Sequence, residues 1–531
     1  MTTALDRRRF LRLGATAMGV AGAAAALAAC GSGTGTGATA AGSGAAPTAA
    51  PAAGGTLRAA FVGGGATETL NHLTGPTALD YVRARARHGA LGSIDPSTPD
   101  GVRYDLLTGI DVSEDLREYT LRLRPGLTFT DGSPVSIRDV VYSLAAPGTL
   151  GALPYLKNVV TAFDLNAARV TDDRTVVLPA KNPLIDGRLL ICQSNLVFKE
   201  GTTAFTADMP TCGPFRMTGF DPGQGASFVP HDGYTPPEGE PTPYLEGLEL
   251  RSIADSTARA DALSAGQLDY ADDLAPATAR TLEANGGLRV LATEAPFVQQ
   301  LYFSMNVRQE PFGDPRVREA VKLAVDRQKI VDTVFFGRAI VGNDLPSLGF
   351  PGYASGIEQR AFDPDRARTL LTEAGASGAA ISLTTGPEIP GMVETATVLV
   401  ENLQAVGLNV TLNQLPAGQL YADYPAYTAL PFAGGYNPPQ PVLLSYLGTR
   451  VSGSPANFGF DRPDIDALAR TSRTSPDAAT RDRALEQVQQ LTWAEGNTLI
   501  PVFKAAANGQ TSSVQGITYA PFADFRTAAV R

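Results

Sequence analysis

The chain has 531 residues, with 43 lysines and arginines against 53 aspartates and glutamates, and a formal net charge of −10 at neutral pH. This acidic balance disfavours nucleic acid as a partner, because such binding relies on basic side chains that neutralise phosphates. The length exceeds the roughly 250–300 residues at which a single hydrophobic core stops growing, so we expect at least two lobes.

The N-terminal segment has the composition of an export signal. Arginines at positions 7, 8, 9 and 12 precede an uncharged apolar run over 15–29. The run is shorter than the roughly 20 apolar residues that cross a bilayer comfortably, and a short run behind basic residues is typical of a signal peptide. We therefore exclude residues 1–29 from the fold.

Two short motifs refine this prediction. DRRRFLR at 6–12 resembles the twin-arginine export motif, and LAAC at 27–30 resembles a bacterial lipobox. In a lipobox the cysteine thiol is acylated and the cysteine becomes the first residue of the mature protein. We therefore expect Cys30 to carry a lipid anchor; the alternative is a plain signal peptide in which Cys30 is incidental.

Residues 30–55 are predicted to form a disordered tether. They are almost wholly glycine, alanine, serine, threonine and proline, and such a segment has too little apolar surface to fold. As a flexible chain it reaches about 25–30 Å, which holds a globular body just off a membrane surface. No later run is long and apolar enough to span a bilayer, so we expect a soluble body attached to the membrane only through lipid.

Besides Cys30, the chain has two cysteines, Cys192 and Cys212. The compartment outside the cytoplasmic membrane permits disulfides, and the two residues lack the CxxC spacing of a redox motif. We expect one bridge between them; two buried free thiols are the alternative.

The first half of the body has strand and helix signals in alternation. Residues 56–62 form a short apolar segment that predicts a strand. Residues 119–124 alternate with period two, as in a half-buried strand, and the Pro-Gly pair at 125–126 predicts the turn that ends it. The sequence SIRD at 136–139 is typical of a helix start with a capping box.

The second half has the clearest helix signals. Asp314 and Pro315 favour a helix start, and apolar residues at 317, 320, 321, 324 and 325 mark one face of that helix. Further helices are predicted over 326–334, 363–375, 393–405 and 477–493, and strands over 408–412 and 499–503. This alternation indicates α/β lobes with mixed sheets.

Catalytic motifs are absent from the sequence. It has no nucleophile elbow, HExxH, Walker A loop or GxGxxG fingerprint, and its histidines, His72, His88 and His231, lack metal-ligand spacing. The acidic pairs at 172–173 and 272–273 are typical of solvated turns. The sequence therefore predicts no enzyme, no metal site and no cofactor, and it favours a binding function.

An ordered series of motifs runs through the body. The segments are YTLRLRPGLTFTDGSPVSIRDVVYS at 119–143, TCGPF at 211–215, ALSAGQLD at 262–269, YFSMN at 302–306, PFGDPRVREA at 311–320 and AVDR at 324–327. Together they resemble the extracytoplasmic solute-binding proteins of family 5, the peptide/nickel class of ABC importers. The resemblance covers nearly all of the mature chain, and several matches in the right order are far more specific than one.

The resemblance implies an α/β fold, a two-lobed periplasmic-binding-protein clamshell (type II, cluster C-like) with mixed sheets and an extra inserted domain. The implied limits are 56–92, 208–298 and 504–531 for lobe I, 93–207 for the inserted domain II, and 299–503 for lobe II. A ligand is expected to bind between the lobes, which close on it.

The resemblance also implies a function as the substrate-binding component of an ABC importer. Such a protein captures a small solute, here a peptide or a peptide-like neutral polar molecule, and delivers it to a membrane permease driven by an ATPase. We expect a monomer, lipid-anchored on the outer face of the cytoplasmic membrane, with no nucleic-acid partner. The alternatives are a ligand sensor or cell-envelope interaction module built on the same fold and, less favoured, a lipoprotein hydrolase.

Ligand-contacting residues are expected on two segments. Family members place such backbone near a glycine-tyrosine stretch, which here reads AGGYNPP at 433–439. We expect the ligand to contact residues 432–437, with 302–306 as the second wall. The candidate residues are Tyr302, Asn306, Phe432, Gly434, Gly435, Tyr436 and Asn437.

One departure from the family pattern bears on the ligand. Peptide binders often have an aspartate, which meets the peptide amino terminus, where this chain has Gly435. Neither Gly435 nor Asn437 can supply that charge. We therefore expect a neutral or weakly polar solute, or a peptide held mainly by its backbone.

Overall fold

The computed structural model of the protein describes residues 54–75, 77–193, 195–519 and 522–531. The predicted export signal, the lipobox with Cys30 and nearly all of the tether lie outside these residues. The α-helices are α1 Ala78–Arg87, α2 Ile137–Ala145, α3 Asn158–Ala162, α4 Gly187–Cys192, α5 Ser256–Ser264, α6 Pro276–Glu283, α7 Pro315–Leu323, α8 Arg327–Thr333, α9 Pro364–Glu373, α10 Met392–Ala405, α11 Tyr424–Thr428, α12 Val442–Thr449, α13 Pro463–Thr474 and α14 Ala478–Glu495.

The strands alternate with these helices along the chain. They are β1 Thr56–Phe61, β2 Gly89–Ala90, β3 Gly92–Ile94, β4 Val102–Tyr104, β5 Leu107–Val112, β6 Glu118–Leu123, β7 Arg169–Asp172, β8 Thr175–Pro179, β9 Leu196–Val197, β10 Phe215–Asp221, β11 Gly225–Pro230, β12 Gly247–Ser252, β13 Tyr270–Ala271, β14 Leu288–Ala292, β15 Gln299–Met305, β16 Ala339–Val341, β17 Ala380–Thr385, β18 Asn409–Gln414, β19 Phe432–Asn437, β20 Thr498–Lys504, β21 Ala507–Thr511, β22 Val514–Gln515, β23 Thr518–Tyr519, β24 Ala523–Asp524 and β25 Ala529–Val530.

Local sequence signals fix several of these elements. The Asp314 side chain accepts a hydrogen bond from the Arg316 backbone at the start of α7, and Pro315 is the first residue of that helix. At the start of α2, Ser136 and Asp139 form the expected capping box. These predictions are confirmed, because a capped helix start depends on residues only three positions apart.

Strands from three distant parts of the chain form a seven-stranded sheet in the order β10-β11-β12-β1-β13-β21-β14. β1 is parallel to β12 and β13, whereas β21 is antiparallel to β13 and β14. Apolar residues of the sheet, such as Leu57 and Leu250, are buried with Leu79 and Val82 of α1. We call this part of the molecule lobe I; it includes strands from both ends of the described chain.

A second mixed sheet has six strands in the order β16-β20-β15-β19-β17-β18. β15 is antiparallel to β19 and β20, whereas β17 is parallel to β18 and β19. Its main core includes Leu301, Phe303 and Met305 of β15 together with Val321 and Leu399, which belong to α7 and α10. We call this part lobe II.

A smaller antiparallel sheet, in the order β5-β6-β8-β7, has a separate core that includes Tyr119, Leu121 and Val140. We call it the insert, because its strands lie in the chain between strands of lobe I. It packs against α12, since Leu444 of that helix is buried in the core of the insert. An ion pair of 2.9 Å between Arg473 Nε and Asp186 Oδ1 lies across the same contact.

The expected disulfide between Cys192 and Cys212 is not formed: both are free, buried thiols. Cys192 ends α4 and lies against Gly92, where an added Cβ would be 2.9 Å from its Sγ. Cys212 Sγ donates a 3.6 Å hydrogen bond to the Val197 carbonyl. Both sulfurs lie in the core of the insert, where burial raises the pKa of both thiols, that of Cys212 to about 12.

Lobe II also contains a buried ion cluster around Asp344. Nη2 of Arg327 lies 3.0 Å from both Asp344 carboxylate oxygens, and Arg360 Nε lies 2.8 Å from Oδ2. The Ile500 backbone N–H donates to Oδ1 at 2.9 Å. Burial by itself would raise the pKa of the Asp344 carboxyl, but the neighbouring cations Arg327 and Lys322 bring it below its ordinary value.

Candidate ligand-binding site

The two segments expected to contact ligand are neighbouring strands of lobe II. β15 and β19 pair antiparallel, so that Tyr302 faces Gly435 and Gln300 faces Asn437. The two segments are more than 120 residues apart in sequence, and the structure brings them into one surface.

The side chains of β15 alternate between two environments. Phe303 and Met305 point into the main core of lobe II, as does Phe432 of β19, which is fully buried. Tyr302 belongs instead to a separate cluster with Ile500 and contributes to the opposite side of the sheet. Phe432 is therefore a core residue in this structure, whereas Tyr302 lies on the other face, which we call the Tyr302 face.

Gly435 makes room for tyrosine hydroxyls on the Tyr302 face. A Cβ added at Gly435 would lie 2.5 Å from Tyr302 Cζ and 2.6 Å from the hydroxyl oxygen of Tyr427. Gly434 is equally close-packed, since a Cβ there would be 2.8 Å from Thr385 Oγ1. In this structure the two glycines allow close packing by the protein's own side chains.

Tyrosine hydroxyls form a hydrogen-bonded group beside these glycines. The hydroxyl oxygens of Tyr302 and Tyr427 are 3.0 Å apart, and Tyr427 also donates to the Gly434 carbonyl at 3.3 Å. The Tyr436 backbone N–H donates to the Tyr421 hydroxyl at 3.2 Å. Burial raises the pKa of Tyr302, and raises that of Tyr436 to about 12, so these groups remain neutral donors and acceptors at physiological pH.

The two asparagine candidates occupy different positions. Asn306 is buried just after β15, where its side chain accepts from the Arg308 N–H at 3.1 Å and Nδ2 donates to the Thr428 carbonyl at 3.4 Å. Asn437 is half-buried at the end of β19, opposite Gln300. Within the described part of the chain, Nε2 of the buried Gln300 has no hydrogen-bond partner. Asn306 thus holds a turn, while Asn437 and Gln300 place amide groups at the strand end.

Arg450 is the main site residue that the sequence analysis missed. It follows α12, is 6% exposed, and donates from Nη1 to Thr498 Oγ1. Thr498 Oγ1 lies 3.2 Å from Ser304 Oγ, and Ser304 is two residues from Tyr302 on β15. The guanidinium therefore lies against the Tyr302 face. A lone arginine after an apolar helix has no sequence signature that marks it as a binding group.

The charge environment of Arg450 is unusual for a buried arginine. The groups that act on its charge are the hydroxyls of Tyr446, Tyr302 and Tyr427. Among the described residues no carboxylate forms an ion pair with it, and burial lowers the pKa of the guanidinium. Nε and Nη2 have no hydrogen-bond acceptor within the described chain.

The junction between the lobes lies at the far end of β20. Lys504 Nζ forms an ion pair with Asp273 of lobe I and donates to Gln299 Oε1 at 3.0 Å. The neighbouring Asp272 is half-buried, and loss of solvent together with the charge of Asp273 raises the pKa of its carboxyl to about 7. The acidic pair at 272–273 is thus a largely buried part of the lobe junction and not the solvated turn we expected.

The histidines lie away from the Tyr302 face. His72 and His88 are buried with ring centroids 5.5 Å apart and contact Phe198 and Phe205. Burial lowers the pKa of His72 to about 4. No group of three or more potential metal ligands occurs among the described residues, and no helix in the same part of the chain is long and apolar enough to cross a membrane.

A comparison with known families identifies the chain. The model for "Bacterial extracellular solute-binding proteins, family 5 Middle" matches residues 101–454. The chain belongs to this family. Its members are exported binding proteins and not enzymes, and they serve as substrate-binding components of ABC importers, as the sequence resemblance implied.

Individual relatives are similar over most of their length. The chain is 24% identical to the glutathione-binding protein GsiB of Salmonella typhi over 481 residues, which are 86% of this chain and 91% of the relative. The substrate-binding protein CtaP of Listeria monocytogenes has a TM-score of 0.79 at 18% identity, with 90% of this chain and 99% of that chain covered. NikA of Brucella suis, solved with Fe(III)-EDTA, has a TM-score of 0.75 at 22% identity, with 90% and 100% covered.

These structural likenesses confirm the expected fold class. The two mixed sheets and the insert together form the two-lobed clamshell of periplasmic binding proteins. The structures matched are each less than 25% identical to this chain, so they establish its fold and leave its ligand to be inferred from its own residues.

Proposed function

We propose that this protein is the lipid-anchored receptor of an ABC importer, and that it captures a peptide or peptide-like solute between its lobes. The observation that carries the proposal is the Tyr302 face. It places Tyr302, Asn437 and Arg450 on lobe II, on a sheet whose strand β20 leads into the junction with lobe I. The relative named for glutathione binding supports this solute class.

Capture by such a protein depends on differential affinity. A solute favours the closed arrangement of two lobes only if it makes better contacts there than in the open one. Hinge closure around a ligand is a common form of this response, with a few residues absorbing the change in backbone angles. We place the hinge at the chain crossings near Gln299 and Lys504, and we keep the lobe limits given above as part of the proposal.

Delivery and anchoring complete the proposed function. The closed protein would present the solute to a permease, and acylated Cys30 would hold it at the outer face of the cytoplasmic membrane. A single acyl chain binds membranes only marginally, with a constant of about 10⁴ M⁻¹, so we expect at least two chains on the mature N-terminus.

The test combines two measurements: which solutes the purified protein retains, and whether the bacterium needs the protein to take them up. Solutes retained by the purified protein are identified by native mass spectrometry, and their depletion from the medium is followed in the parent bacterium and in a strain that lacks the gene. We expect the deletion strain to leave the retained solute in the medium. Equal depletion by both strains would contradict an import role and favour a sensor.

The anchor is tested in the same strain. A copy with Cys30→Ala should restore uptake poorly and should appear in the medium or remain unprocessed. Membrane retention of a fully processed Cys30→Ala protein would contradict lipidation.

A further inference from the structure

We propose that Arg450 binds a carboxylate group of the captured solute. This inference rests on the proposed function, since it assigns the chemistry of one point in the same site. It adds an anionic group to the expected ligand, which the absence of an acid at Gly435 predicts to be a neutral or weakly polar solute, or a peptide held mainly by its backbone.

Most buried arginines elsewhere in the described chain are satisfied in one of two ways; the exception is Arg87, which donates to the Thr206 carbonyl and to Met217 Sδ. Some face carboxylates: Arg83 lies 2.9 Å from Glu68 and 2.7 Å from Asp80. Others donate to several backbone carbonyls, as Arg259 does to four, those of 253, 254, 272 and 273. Burying a charge without such partners is costly.

Arg450 has neither kind of compensation. Its single hydrogen bond within the described chain is the donation from Nη1 to the hydroxyl of Thr498. The unpaired Nε atoms of Arg83, Arg87 and Arg327 are sealed from solvent, whereas Nε and Nη2 of Arg450, which are also unpaired, keep a small exposed surface. The guanidinium thus has two unused donors.

Two donors on one edge of a guanidinium match the two oxygens of a carboxylate. Such bidentate pairs are among the strongest hydrogen-bonded contacts in proteins. The neighbouring hydroxyls of Tyr302 and Tyr427 are neutral, and no carboxylate of the described chain forms an ion pair with Arg450. An aspartate at the position of Gly435 would meet the Tyr302 hydroxyl; glycine adds no negative charge there.

The test uses a defined mixture: a small-molecule extract of the producing bacterium supplemented with glutathione and a casein digest. The mature protein is incubated with this mixture before and after methyl esterification, which neutralises carboxylates, and the retained solutes are identified by mass spectrometry. The same measurement is made on Arg450→Met, on Arg450→Lys and on Arg316→Met, which removes an exposed arginine of α7. Melting temperatures check that each variant is folded.

We expect the parent to retain a solute with at least one carboxylate and to lose it after esterification. Arg450→Met should weaken its affinity about thirtyfold or more, in line with truncation of a buried charged pair. Arg450→Lys should bind with intermediate affinity, because lysine keeps the positive charge but lacks the paired N–H donors of the planar guanidinium. Arg316→Met should bind as the parent does.

The outcomes separate this inference from the proposed function. Retention of the same solute after esterification, or undiminished affinity in folded Arg450→Met, would overturn the carboxylate assignment while leaving solute capture in place. Retention of no solute by the parent would overturn both.

Discussion

Two regions of lobe II that bury arginine side chains compensate the charge differently. In the cluster around Asp344, Arg327 and Arg360 share one carboxylate, which also accepts the Ile500 N–H. On the Tyr302 face, Arg450 has only the Thr498 hydroxyl. In the first region the protein's own carboxylate balances the arginine charges. In the second region we infer that a further anion balances the charge of Arg450. Burial does not separate the two regions, since the arginines of both are equally buried; their hydrogen-bonded partners do.

The largest loss of stability is expected from removing the negative charge at the centre of the Asp344 cluster. Asp344→Asn leaves two buried guanidinium groups without a counter-charge, which should lower the free energy of unfolding by about 3–5 kcal/mol. Urea unfolding measures it. The matched control is Asp461→Asn, which breaks the exposed pair with Arg308 and should cost less than about 1 kcal/mol. Equal losses in the two variants would contradict the distinction.

On the Tyr302 face, added side-chain volume should destabilise the folded protein. Gly435→Ala places a methyl group 2.5 Å from the Tyr302 ring, and overpacking of this kind costs about 1–3 kcal/mol. The control is Gly448→Ala in α12, where an added Cβ meets nothing within 4 Å and alanine favours the helix. Thermal unfolding compares them; a Gly435→Ala protein as stable as Gly448→Ala would show that the Tyr302 face is loosely packed.

Lys322, which lies beside the Asp344 cluster, should make the free energy of unfolding depend on pH. Burial lowers the pKa of this amine from about 10.5 to about 7, with the attraction of Asp344 only partly opposing it. Between pH 7 and 10 the unfolded chain therefore binds a proton that the folded protein does not, so stability rises with pH in this window. In the Lys322→Met variant the free energy of unfolding should rise less steeply with pH than in the parent protein. Identical pH profiles would mean that Lys322 is charged when folded.

The smallest effect on stability is expected from Arg450→Met. Removing a buried charge that lacks a counter-charge should change the free energy of unfolding by less than about 1 kcal/mol, or increase it. A loss of several kcal/mol in urea unfolding of the solute-free protein would place Arg450 with the structural cations of the Asp344 cluster.

Much of the fold could be predicted from local sequence. The start of α7 at Asp314 and Pro315, the capping box at Ser136 and the extent of α10 all follow from hydrogen bonds and apolar spacing within one or two helical turns. The ordered family motifs gave the overall class, and the missing catalytic motifs pointed to binding. The expected disulfide is not formed; sequence shows that two cysteines exist but not the separation and orientation of their side chains, on which a bridge depends.

What the sequence alone determined is therefore the family and several of the helices and strands, while contact of β15 and β19 with a ligand stays a prediction. Only the tertiary structure decided which side chains share the Tyr302 face: Tyr302 opposite Gly435, and Arg450 against Thr498, 48 residues further along the chain. It also decided that Phe432 and Asn306 serve the core and a turn. The physical reason is that strand register and burial are set by packing between distant segments, and a shift of one residue would exchange the two faces of a strand.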